Sequence, residues 1–405
     1  RLWKPALSAA LIGYLIVLNT VPAFAQSVFA IPLLGDVSRI LCVREYQKTS
    51  DVDSLSVKVP EVKNTGNPEM EERVNKQIEE RINKTTEQLY KDSAQVREMM
   101  KKEGVPSLIM ETEGISSTAS IALAVPGRDK STIHSRGASQ TFVADDIQGD
   151  LLKEADWFHF GYPTSMKTLY DRNGEEFIRM LKKVKQYGLG ISVDMSLPDL
   201  NTEAGKTDWL PILEQALPYI DIFMPSIEEA VFLFMHRTYQ EMAAQYRGRD
   251  MTEVLGEEFI LTIADRALEM GTKAVLLKCG KRGMVLKTGE HCPWGESWNG
   301  RELWCTPYKP EKIRSATGAG DTAIAGFLNS FKRGCTPEKA LDMAAFTALR
   351  CLESYDTVSR IGTYQEMEAI KKEVGERLNG PDSSEWTYCM ESGCYVGKND
   401  RRKAR

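Results

Sequence analysis

"SATGAGDTAIAGF", residues 315–327, sets two glycines and an aspartate directly ahead of a helical pattern. A helix N-terminus carries unpaired N–H groups and roughly half a unit of positive charge, so it is suited to holding a phosphate. Glycines at 318 and 320 clear the side chains that would block a close approach. Asp321 would repel the same phosphate, which makes sense if it takes a proton from an acceptor hydroxyl while the amides of Gly318, Ala319 and Gly320 stabilise charge on a transferring phosphoryl group. A second reading fits the four residues equally well: Asp321 simply caps the helix.

The surrounding pattern says where such a turn sits. "ADWFHF" (155–160), "LGISVDM" (189–195), "YIDIFM" (219–224) and "KAVLLK" (273–278) are short apolar runs bounded by turn residues, as buried strands are. Helical stripes separate them: Phe177, Ile178, Leu181, Val184 and Tyr187 form one, and Ile260, Ile263, Ala264, Ala267 and Leu268 another. Strands alternating with helices imply an α/β protein with a parallel sheet covered on both faces. Ligands of such sheets bind beyond the carboxyl ends of the strands. The informative residues stand there.

The longer stretch "KIRSATGAGDTAIAGFLNSFKRG" (312–334) strongly resembles the second signature of the ribokinase-like carbohydrate kinases, the PfkB family. That resemblance, which covers about residues 105–385, implies a three-layer α/β fold with a mostly parallel central sheet and a β lid, with Asp321 as catalytic base. "LLKCGKRGMVL" (276–286) is similar to the family's ATP-binding G-x-x-G loop between two strands, with Gly280, Lys281 and Gly283 against the nucleotide; a plain hairpin turn is the other reading. "MPSIEEA" (224–230) resembles the N-x-x-E motif, whose glutamate, here Glu229, organises the Mg2+ of the nucleotide through water. Ser226 replaces the asparagine, and a helix N-cap serine accounts for it as well. "SVDMSLPD" (192–199) resembles the strand ending in D-x-N, keeping Asp194 as a substrate contact and placing Ser196 where the family has asparagine. "FHFGYP" (158–163) and "TASIALAVPGRDKSTIHSRGA" (118–138) look like the substrate edge and the returning lid strands. "CTPEKALDMAAFTALRCL" (335–352) looks like the helix closing the adenine pocket, with Thr336 as cap and Pro337 in its first turn. The family's opening strand, first lid strands and Gly-Gly helix start are not evident, so the lid is expected to be incomplete, its strands unpaired, and sugar kinase activity weak or absent. Association of chains through that lid is a further expectation.

Residues upstream of about 104 read differently. The run 5–34 is apolar and uncharged, follows Arg1 and Lys4, and fits either a membrane segment or a secretory signal ending at "AFA". In "DSLSVKVPEV", Leu55, Val57 and Val59 alternate as in a half-buried strand. A long helix is expected from Asn67 to Gly104, with Met70, Val74, Ile78 and Ile82 on one side and Glu and Lys elsewhere. Residues 1–103 resemble the membrane segment and outer-domain start of transmembrane anti-sigma factors. The expected division is therefore an apolar segment (1–34), a strand plus long helix (35–104), the kinase-like domain (105–385) and a solvated, disordered basic tail (386–405).

Composition narrows the partners. With 52 Lys and Arg against 57 Asp and Glu, the chain presents no field that attracts nucleic acid. Its eight cysteines lack the spacing of a zinc site or a disulfide framework, which leaves reduced, mostly buried thiols. Two function classes follow. The first is a sugar kinase using ATP and Mg2+ on a small carbohydrate, expected in the cytoplasm; the second is a membrane-tethered signalling protein carrying a non-catalytic kinase remnant.

Overall fold

The structure is a computed structural model that describes residues 43–49, 54–60, 69, 72, 76, 101, 115, 118–123, 131–246 and 251–402. It divides into two compact units, residues 1–139 and 140–405.

In the first unit, β1 (Val43–Thr49) and β2 (Ser54–Pro60) pair antiparallel, with Val43 opposite Pro60 and Thr49 opposite Ser54. The alternating Leu55, Val57 and Val59 fall in β2, as their spacing predicts. Glu69, Glu72, Lys76 and Lys101 are helical and exposed, in keeping with the solvated charged faces expected between Asn67 and Gly104. The apolar stripe of that helix and residues 5–34 lie outside the described residues. Among the described residues no helix is long and apolar enough to cross a membrane. β3 (Ala119–Leu123) and β4 (Ser131–Ser135) pair antiparallel with each other, Ala119 opposite Ser135. The expectation of unpaired lid strands is thus corrected: each supplies the other's ladder, across a connection short enough for a hairpin.

The second unit is built on one eight-stranded sheet. β5 (Trp157–Gly161), β6 (Gly190–Asp194), β7 (Ile222–Phe223) and β8 (Ala274–Lys278) are parallel neighbours. Beyond them β9 (Met284–Thr288), β10 (Glu302–Cys305), β12 (Cys394–Val396) and β11 (Thr387–Cys389) continue the sheet antiparallel. The sheet is mixed, which corrects the expectation of a mostly parallel one. Five residues separate β8 from β9, too few for the crossover that a parallel neighbour requires.

Alternation along the strands sorts the helices into two layers. Val275 and Leu277 face one core, shared with Phe177, Leu181 and Val184 of α1 (Glu175–Gln186) and Ile260, Ile263 and Ala264 of α3 (Glu257–Glu269). Between these two in the chain lies α2 (Ile227–Phe234), which contributes Ala230 and Val231. Ala274 and Leu276 face the other core, with Ile324, Phe327 and Phe331 of α4 (Ala319–Lys332) and Leu341, Ala344 and Phe346 of α5 (Pro337–Leu352). The Thr336 hydroxyl accepts from the Lys339 amide, the cap expected from sequence.

Through Arg402 the C-terminal segment is not a disordered tail, a third correction. β11 and β12 close the edge of the sheet, and Asp400 is 2% exposed. Its carboxylate accepts from Arg301 Nε at 3.0 Å and from the Glu302 amide at 2.8 Å, while Arg301 Nη2 donates to Glu338 on α5 at 2.6 Å. A buried guanidinium of this kind needs its partners, so the chain end is recruited as part of the fold. Asp400→Ala is expected to destabilise the protein by about 3 kcal/mol, because Arg301 stays buried with one carboxylate removed. Urea unfolding of the full chain measures this, and an unchanged midpoint would show that the segment is dispensable.

Candidate active site

The four parallel strands end on the same side, and a polar or charged side chain stands at or just beyond each end. Asp194 closes β6, and Lys278 closes β8. Tyr162 follows β5 directly, held by a hydrogen bond from its amide to the Asp194 carbonyl at 3.1 Å. Ser226 and Glu229 follow β7, and the Lys278 amide donates to the Pro225 carbonyl at 3.0 Å, which ties that turn to β8.

Lys278 Nζ donates to Asp194 Oδ1 at 2.5 Å, and the same oxygen accepts from the Met195 amide at 2.8 Å. Burial pushes the Asp194 carboxyl above its ordinary range against the pull of that ammonium. The ammonium also lies 3.8 Å from where a Cβ on Gly320 would stand, so it borders the first turn of α4. Lys278 escaped the sequence reading. Its signal was a charged residue ending an otherwise apolar strand, a position that the parallel-sheet rule singles out.

At the start of α4, Gly318 is the residue before the helix, with φ +82°. A Cβ there would fall 2.3 Å from Thr357 Cγ2, so glycine is required by conformation and by space. Because Gly318 occupies the cap position and no side chain caps this helix, Asp321 is not its N-cap. The exposed Asp321 carboxylate instead accepts a hydrogen bond from the Tyr162 hydroxyl. Burial, and then that carboxylate, raise the Tyr162 hydroxyl above the usual phenol range, so it remains a donor. Tyr162 too was missed as an individual residue, although it lies within "FHFGYP"; its backbone is left-handed, φ 66°.

Ser226 and Glu229 form a reciprocal cap on α2. The Ser226 hydroxyl accepts from the Glu229 amide at 3.2 Å, and Glu229 Oε2 accepts from the Ser226 amide at 2.7 Å. Ser226 therefore has the helix-cap role that was one of its two readings. Desolvation pushes the Glu229 carboxyl up to about 7, with Lys278 opposing. Gly280, Lys281 and Gly283 lie in the β8–β9 hairpin. A Cβ on Gly283, φ +92°, would stand 2.0 Å from the Cys305 carbonyl oxygen. Lys281 is exposed and pairs with Glu253 at 3.3 Å. Asp321, Gly320, Asp194 and Glu229 are thus gathered around Lys278, while the glycine loop begins two residues beyond it.

Comparison with known proteins fits this geometry. The family model described as pfkB family carbohydrate kinase matches residues 91–361. The chain belongs to the pfkB family of carbohydrate kinases. It is 27% identical over 256 residues to an uncharacterized sugar kinase of Archaeoglobus fulgidus, covering 63% of this chain and 84% of that one. It is 24% identical over 196 residues to an ATP-dependent 6-phosphofructokinase of Thermoanaerobacterium thermosaccharolyticum, covering 48% of this chain and 51% of the relative. The fold is similar to that of ribokinase from Giardia lamblia, with a TM-score of 0.51 at 14% identity over 70% of this chain and 80% of that one. The family match starts within the stretch read as anti-sigma-like, so residues 91–104 align with a kinase family, and the anti-sigma resemblance is not supported.

The raised carboxyl of Glu229 has a consequence for stability. A carboxyl whose pKa rises from 4.5 to about 7 on folding contributes stability that is complete below pH 4.5 and is lost as pH climbs through 7. Glutamine remains neutral and can still accept from the Ser226 amide. Glu229→Gln is therefore expected to match the parent's melting temperature at pH 5 and to exceed it at pH 8.5 without nucleotide. A difference that did not grow between the two pH values would contradict the burial of this charge.

Proposed function

We propose that this chain transfers the γ-phosphoryl group of ATP to a hydroxyl of a small carbohydrate, with Asp321 as the base. The observation that carries this reading is the Asp321 carboxylate: it lies in the first turn of α4 without a capping role, and it meets the Tyr162 hydroxyl at the ends of the parallel strands. The acceptor oxygen attacks the γ-phosphorus, its proton passes to Asp321, and the bond to the bridging β–γ oxygen breaks to release ADP. The amides of Gly318, Ala319 and Gly320 at the helix start stabilise the charge on the transferring group.

Tyr162 positions the Asp321 carboxylate through its hydroxyl, and Lys278, held in place by Asp194, offers a positive charge to phosphate oxygens. Gly280, Lys281 and Gly283 supply the nucleotide loop, and Ser226 maintains the turn that carries Glu229. The site fits an Mg2+ carried in with the nucleotide. Glu229 is a carboxylate held near neutrality by desolvation, which a nearby cation would return to its charged form, acting through water as the family pattern implies. Such a cation screens the charge of the phosphates. Among the described residues no three acidic, His or Cys side chains gather as a protein-only metal site. The signalling alternative, a tethered non-catalytic remnant, has no observation in its favour.

Two measurements on the full chain test the proposal. Millimolar Mg2+–ATP is expected to raise the melting temperature by a few degrees, about what a ligand at a hundred times its Kd provides. Asp321→Asn is expected to keep that shift while turnover on a panel of small sugars falls by roughly a hundred-fold or more, since the base acts only in the chemical step. Retention of most of the turnover would remove Asp321 from the mechanism. No shift with nucleotide in folded protein would remove the nucleotide assignment.

A further inference from the structure

Away from the active site, at the antiparallel edge of the sheet, three cysteines lie in one row. Cys389 on β11 is directly opposite Cys394 on β12. The β10–β12 pairing sets Leu303 opposite Val396 and Trp304 opposite Tyr395, and the next residue along β10, Cys305, has its thiol within hydrogen-bonding reach of the Cys394 thiol. Side chains that face each other across antiparallel strands share one side of the sheet. Facing residues have Cα atoms roughly 4.5 or 5.5 Å apart, and both values lie within the range a disulfide spans. All three thiols are free.

Exposure runs in order along this row. Cys305 and Cys394 are buried, whereas Cys389 is partly exposed and lines a cavity of about 460 Å³ with Thr387, Ser392 and Arg402. At the inner end the Arg377 guanidinium donates to Cys305 Sγ at 3.3 Å. A guanidinium on a sulfur favours the thiolate, the nucleophilic form.

We propose that Cys389, Cys394 and Cys305 form a thiol relay that accepts a disulfide from a small-molecule disulfide at the cavity and passes it into the sheet. The Cys389 thiolate attacks one sulfur of the reagent, forming a mixed disulfide and releasing one thiolate. The Cys394 sulfur then attacks Cys389 Sγ, the second reagent thiolate leaves and takes the Cys394 proton, and a Cys389–Cys394 bond results. Two protein thiols are oxidised and one disulfide is reduced to two thiols. Cys305 next attacks Cys394 Sγ, and Cys389 departs with the Cys305 proton. The bond is then Cys305–Cys394, with no further change in oxidation. Hydrogen bonding within the Cys389–Ser392 turn lowers the Cys389 thiol below its ordinary range, which suits an entry nucleophile near neutral pH.

The test incubates the full chain with glutathione disulfide, quenches in acid, alkylates under denaturing conditions and maps disulfides by peptide mass spectrometry, with far-UV circular dichroism recorded before the quench. The expected result is two fewer alkylated thiols per chain, an intramolecular bond at Cys394, and an unchanged spectrum. Cys389→Ser, at a partly exposed position that leaves the buried pair intact, is expected to slow formation of Cys305–Cys394 by about ten-fold or more, because the entry thiol is gone. The relay is overturned by any of three outcomes: only a glutathione adduct on Cys389 or no reaction, a bond that appears only with loss of the folded spectrum, or an unchanged rate of Cys305–Cys394 formation in Cys389→Ser.

Discussion

One ammonium organises the strand ends. Lys278 is taken out of water by its position at the end of a buried strand, and a buried charge requires a partner. Asp194 supplies it from two strands away, at 2.5 Å, and is itself fixed by the Met195 amide. The pair fixes the spacing between the ends of β6 and β8, and with it the turn after β7 that carries Glu229. Around this single positive charge are gathered Asp194, Glu229 and, across the first turn of α4, Asp321. The carboxylates outnumber the cation. Burial raises the Glu229 and Asp194 carboxyls above their ordinary ranges, against the pull of the Lys278 ammonium.

The start of α4 must then be brought to the same place from the opposite layer. The connection from β10 is pinned along its length: the Arg314 amide donates to the Leu352 carbonyl at 2.8 Å, and the Thr317 carbonyl accepts from Cys351 Sγ and from the Thr357 hydroxyl. Thr357 in turn occupies the volume a side chain on Gly318 would need. The left-handed turn at Gly318 is therefore enforced from outside the motif, by residues 30 or more positions downstream in the chain. An unbranched backbone at the helix start and a rigid wall behind it are two expressions of one constraint.

This explains which parts of the fold were legible in the sequence. β5 to β8, α1, α3 and the α5 cap follow from periodicity and end signals, because each is decided within its own window of residues. The role of Asp321 at the turn could be raised but not decided, since whether it caps α4 depends on the conformation of Gly318, which depends on Thr357. Tyr162 and Lys278 meet Asp321 and Asp194 only when strands far apart in the chain are set side by side. β11 and β12 are three residues each, too short for a period to show, although "TYC" and "CYV" around "MESG" carry the composition of a hairpin. The basic character of "KNDRRKAR" concealed one acidic residue, Asp400, whose partner Arg301 is 99 positions earlier.

The two serines that stand where the family pattern has asparagine share a physical reading. Ser226 is committed to the cap of α2 through the Glu229 amide. Ser196 is committed to its neighbours, with its hydroxyl 2.7 Å from Thr164 Oγ1 and 2.9 Å from Ser165 Oγ. A serine hydroxyl reaches less far than an asparagine amide and has one hydrogen to donate where the amide has two. Longer polar side chains stand nearby. Beside Ser196 these are Tyr162 and Lys278, the one tied to β6 by its backbone and the other by its salt bridge. Tyr162 and Lys278 thus set donors against Asp321 and Asp194, the two carboxylates retained from the family pattern, from strand ends that lie outside the motif positions themselves.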